Sequence, residues 1–73
     1  MGLQLVVQAE GETPIAKVLG NAGPMTEIFQ IAGDLWGISI PTKVVDEIGE
    51  SVVRQRLSRL NVYDLYEGQW RYA

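Results

Sequence analysis

Three arginines, Arg54, Arg56 and Arg59, fall within the stretch GESVVRQRLSRLNVY, with no acidic residue between them. A guanidinium is always charged and carries a rigid fork of N–H donors matched to carboxylate and phosphate oxygens. Such a cluster serves either a solvated helix face or a surface for something negatively charged. Arg54 follows Glu50 by four residues, the spacing of an ordinary helical ion pair, worth a few tenths of a kcal/mol. Lys43, Ser51, Gln55 and Ser58 add a cation and hydrogen-bonding groups nearby.

Other chemistry is poorly represented. The chain has no cysteine and no histidine. Thiolate nucleophiles, Cys/His zinc sites and His-based acid–base catalysis are therefore closed to it. Asp46, Glu47 and Glu50 are close in sequence, but the first two point in different directions on a helix. There is no Gly-rich phosphate loop and no nucleophile motif. We expect no enzyme activity, no metal and no cofactor. Apolar runs are only a few residues long, so no membrane span or membrane partner is expected. The N-terminal MGLQLVVQAEG lacks the basic start and long apolar core of a signal peptide. The absence of cysteine fits a cytoplasmic location.

Seventy-three residues, 47% hydrophobic and 21% charged, make one small domain, 1–73. A core this small gains from oligomerisation. The net charge of −3 sits in the first forty residues, where Lys17 faces Glu10, Glu12, Glu27 and Asp34; the remainder is balanced. An acidic chain is not built for non-specific polyanion binding as a whole. A local basic face still acts at contact range, because salt screens beyond roughly 10 Å.

These residues need elements to hold them. LQLVVQ, 3–8, reads as a short strand. Residues 13–22 read either as a helix, capped by Thr13, opened by Pro14 and stopped by Gly20 or Gly23, or as a second strand. From Thr26 as N-cap, with Glu27 in the first turn, Ile28, Ile31, Ala32 and Leu35 recur at helical spacing, widened by Phe29 and Trp36. That predicts an amphipathic helix over 26–36, ending at Gly37. GISIPT is an extended crossing. Pro41 or Thr42 opens a second helix with Val44, Val45 and Ile48 inward. Residues 41–60 form one helix or two; Gly49 favours a break, with Ser51 capping a third helix over 51–60. There Val53, Leu57 and Leu60 face inward and Ser51, Gln55, Ser58 and Arg59 outward, with Arg54 and Arg56 on the flanks. The end reads as a hairpin over 62–72 turning at Glu67-Gly68. Its Tyr63, Tyr66 and Tyr72 serve to cover the core or to form a homodimer surface. The two tryptophans, Trp36 and Trp70, read as core anchors.

The segment TKVVDEIGESVVRQRLSRL resembles the helix-turn-helix of winged-helix regulators, and VYDLYEGQWRYA resembles their wing. The resemblance implies a small α+β, winged-helix-like domain with two to four short helices, a helix-turn-helix region over 26–60, a C-terminal β-hairpin and an N-terminal strand. It implies a transcriptional regulator of double-stranded DNA whose third helix enters the major groove. By position, Ser51, Gln55, Ser58 and Arg59 would face base edges, Lys43, Arg54 and Arg56 would meet phosphates, and Trp70 and Arg71 on the wing would touch backbone or minor groove. LWGISIPTKVVDEI with the later EGQW is also similar to a small phage family of type I-F anti-CRISPR proteins. That family implies an acidic surface imitating DNA that binds a nucleic-acid-binding protein complex, and here it would use Glu10, Glu12, Glu27 and Asp34. ISIPTKVVDEIG is similar, too, to the strand–Pro–helix element of swapped-hairpin transition-state regulators.

Overall fold

The computed structural model describes residues 2–64. The elements run β1 (Leu3–Gln8), α1 (Glu12–Leu19), a 3-10 turn (Gly20–Met25), β2 (Glu27–Ala32), β3 (Leu35–Ile40), α2 (Thr42–Ile48), α3 (Glu50–Leu57) and β4 (Asn61–Asp64). The fold is α+β, as the sequence implies. The four strands form one antiparallel sheet in the order β2-β3-β1-β4. Each outer strand is reached through helix from a strand that is not its neighbour, which is the split β-α-β-β-α-β connectivity of ferredoxin-like sheets. Its second helix is here divided into α2 and α3.

The register sorts the side chains. Leu3 lies opposite Ile40, Leu5 opposite Ile38, and Val7 between Trp36 and Val62, so these residues share one face. That face carries the core. Leu3, Leu5, Val7, Ile38 and Ile40 are buried with Ile15 and Leu19 of α1, Val44 and Val45 of α2, and Val53 and Leu57 of α3. Trp36, Ile28, Ile48, Leu60 and Val62 pack at its margin. Trp36 packs against the core, and its indole N–H is buried with no hydrogen-bond acceptor among the described residues. The other face of the sheet carries Gln4, Val6, Gly37, Phe29 and Tyr63; the two aromatic rings are 39% and 49% exposed.

The largest departure from the sequence reading is at 26–36, which is a hairpin rather than a helix. Glu27–Ala32 and Leu35–Ile40 pair antiparallel around Gly33-Asp34. Gly33 has φ +51°, and among the described residues none other than glycine has positive φ, the pattern of a two-residue Gly-X loop of the II′ kind. Thr26 therefore caps no helix, and its hydroxyl donates to Ala22 O at 2.7 Å, closing the 3-10 turn. Glu27 and Asp34 sit on a strand and at a turn, not along a helix face. Gly37 stops nothing: it is a buried mid-strand residue of β3. The helix-turn-helix region proposed over 26–60 thus begins with two strands. Of the C-terminal hairpin, β4 is observed, paired with β1 rather than standing apart. Its turn, its return strand, Tyr66, Trp70, Arg71 and Tyr72 lie outside the described residues.

The other elements follow the sequence more closely. Residues 12–19 take the helical alternative, with Ile15 and Leu19 buried one turn apart. Gly20, at φ +60°, ends that helix. Its start is at Glu12 after Gly11, without a cap from Thr13. The break at Gly49 is real. Gly49 donates its N–H to Val45 O (2.8 Å) and accepts the N–H of Val53 (3.1 Å), so one residue closes α2 and opens α3. Ser51 accordingly lies inside the first turn and makes no cap. Helix α3 ends at Leu57, three residues short of the expected end.

Gly49 has φ +101° and ψ 133°, a conformation almost confined to glycine. A Cβ there would have room, its nearest contact being Val52 at 3.9 Å. The cost of Gly49→Ala is therefore conformational, about 1 to 3 kcal/mol. Chemical denaturation should show a lower midpoint with an unchanged slope.

Candidate nucleic-acid interface

Helix α3 is eight residues long and is held to the core by Val53 and Leu57 on a single stripe, both fully buried. The stripe decides which residues look outward. Ser51, Gln55, Ser58 and Arg59 are exposed, and Arg54 and Arg56 are half-buried at the flanks, as the helical spacing requires.

The structure sorts these polar residues further. Gln55, Arg56, Ser58 and Arg59 come together with Lys17 and Val18 of α1 around an open groove of about 430 Å³. Its described lining residues hold three of the five described cations and no carboxylate. Lys43, Ser51 and Arg54 are not among its lining residues. Lys43 is exposed on α2 beside Asp46 and Glu47, and Arg54 forms the i,i+4 pair with Glu50 at 2.8 Å. Both members of that pair are solvated, so it contributes little.

Arg56 has a structural task that the sequence does not announce. Its Nη1 donates to Leu19 O at 3.1 Å and to Asn21 Oδ1 at 2.9 Å. Leu19 is the last residue of α1, so Arg56 puts a positive charge on a helix C-terminus and satisfies one of its open carbonyls. Arg56→Ala should cost about 1 to 2 kcal/mol through these lost bonds. Lys17 and Arg59 make no hydrogen bond or ion pair among the described residues, so alanine at either should leave the thermal midpoint nearly unchanged. Ser58 is also partly committed, since its hydroxyl donates to Gln55 O at 2.6 Å.

Lys17 is the residue that sequence reasoning missed. It lies 37 positions before Arg54, in an acidic half of the chain, and only helix packing brings it to the arginines. Its place in the last turn of α1, one residue before the half-buried Val18, was the available signal.

The acidic set does not assemble into one surface. Glu10 and Glu12 flank the β1–α1 connection, and Asp34 joins them at that end of the sheet. Asp34 O accepts the N–H of Ala9 (2.9 Å), and its carboxylate accepts from Gln8 Nε2 (2.9 Å). Glu27 opens β2 at the opposite end of the hairpin, opposite Ser39. A second depression, lined by Pro24, Met25, Thr26, Glu27, Ser39 and Pro41, has one carboxylate and no cation among its described lining residues. Among the described residues there is no group of three potential metal ligands, and no helix is long and apolar enough to cross a membrane.

No family model, curated protein or solved structure matches the chain.

Proposed function

We propose that this protein binds double-stranded DNA through α3 and the groove between α3 and α1, as a cytoplasmic regulator. One observation carries the reading: on an acidic chain, Lys17, Arg56 and Arg59 converge on a groove whose described lining residues include no carboxylate. Phosphate contacts of this kind supply most of the affinity for nucleic acid, independently of sequence. Gln55, on the exposed side of α3, is the group suited to a base edge, its amide matching adenine. The described lining residues include no aromatic side chain on which unpaired bases would stack, which favours a duplex over a single strand. An inhibitor imitating the charge of DNA has less support, because its four carboxylates are divided between two ends of the sheet.

The test is fluorescence anisotropy with a labelled duplex at 50 and at 200 mM salt. Three phosphate contacts predict an affinity falling about 40-fold over that range. No binding at 50 mM salt would overturn the reading.

A further inference from the structure

We infer that the α1–α3 groove contains a discrete phosphate subsite, in which Arg56 is the oriented ligand, Asn21 is its positioning residue and Lys17 and Arg59 complete the charge. The inference rests on the DNA-binding reading for its natural ligand, a backbone phosphate, although the same geometry would take a free phosphoryl group.

A guanidinium has five N–H groups. In Arg56 both acceptors, Leu19 O and Asn21 Oδ1, are taken by Nη1. The opposite edge, formed by Nε–H and Nη2–H, has no acceptor among the described residues. That edge is the one that grips two oxygens of a phosphate side by side. Arg56 is half-buried and tied at one end, so its fork is already fixed before a ligand arrives, and less side-chain freedom is lost on binding. Lys17 and Arg59 line the same groove with no hydrogen-bond or ion-pair partner among the described residues, and their flexible charges would close on the remaining oxygens. A diffuse basic patch would need only the charges. This subsite also needs Asn21, which is neutral and exposed.

The experiment is titration calorimetry with inorganic pyrophosphate at low salt, against chloride of equal ionic strength, together with the duplex assay. Asn21→Ala keeps every charge, and Arg56→Lys keeps the charge but loses the fork. Circular dichroism melts show that each variant is folded, and the exposed position of Asn21 keeps at least that test usable. Each variant should weaken pyrophosphate about three- to tenfold, and pyrophosphate should displace the duplex. Pyrophosphate binding unchanged in both variants would overturn the subsite. Duplex binding that neither variant alters and pyrophosphate does not displace would also overturn it, while leaving the DNA reading in place. Pyrophosphate binding sensitive to Asn21→Ala, with no duplex binding at all, would keep the subsite and remove the DNA reading.

Discussion

Leu57→Ala is expected to lower the thermal midpoint by about 8 to 40 °C. Leu57 is fully buried and is one of two residues that fix α3 to the core. Truncating a buried leucine removes its transfer free energy and leaves a cavity, together about 2 to 5 kcal/mol. A chain of 73 residues has roughly 4 to 11 kcal/mol in total. The loss is therefore a large share of the whole, and in a domain this short each kcal/mol moves the midpoint by about 4 to 8 °C. Val52→Ala is the control. Val52 is on the same helix but 38% exposed, and alanine is the better helix former, so its midpoint should stay within a few degrees of wild type. Equal midpoints for Leu57→Ala and wild type would show that α3 does not pack through Leu57. The arginines would then be presented differently from the geometry described here.

The second large effect is on binding. Replacing Lys17 and Arg59 together by alanine should reduce the slope of log affinity against log salt from about −2.7 to about −0.9, because two of three counterion-releasing contacts are gone. The salt-induced loss between 50 and 200 mM would shrink from about 40-fold to about 3- to 4-fold. At 50 mM salt the double variant should bind about 10- to 100-fold more weakly. Its folding should be intact, since neither side chain makes a hydrogen bond or ion pair among the described residues, so the change reads binding alone. Lys43→Ala is the comparison: a cation of equal charge outside the groove lining should leave the slope nearly as it was. A slope that dropped as much for Lys43→Ala would show that any surface cation serves, and the groove would lose its significance.

The hairpin at 27–40 shows how a local reading is misled. Ile28, Ile31, Ala32 and Leu35 recur with helical spacing, and a register shift between Gln30 and Ala32 explains why. The irregularity breaks the strict alternation that marks a strand. What remained in the sequence was chemistry rather than period. Ile28, Phe29, Ile31, Trp36, Ile38 and Ile40 are β-branched or aromatic, and Gly33-Asp34 stands between two apolar runs at hairpin spacing. Those signals favoured strands and were outweighed by the periodicity.

The sequence by itself determined the short-range features of this protein. The first strand, the α2 helix after Pro41, the break at Gly49 and the outward face of α3 all depend on residues within about one turn of each other, where backbone sterics and i,i+4 spacing operate. The helix between Gly11 and Gly20 was legible only as one of two alternatives, and packing of Ile15 and Leu19 into the core selected it. Tertiary structure alone decided the rest. Strand pairing of β1 with both β3 and β4 joins residues 27 or more positions apart, and no local pattern specifies such partners. The same holds for the site. Arg56 was visible as a cation, but its attachment to Leu19 and Asn21, and the arrival of Lys17 beside it, exist only once α1 and α3 lie on the same face of the sheet.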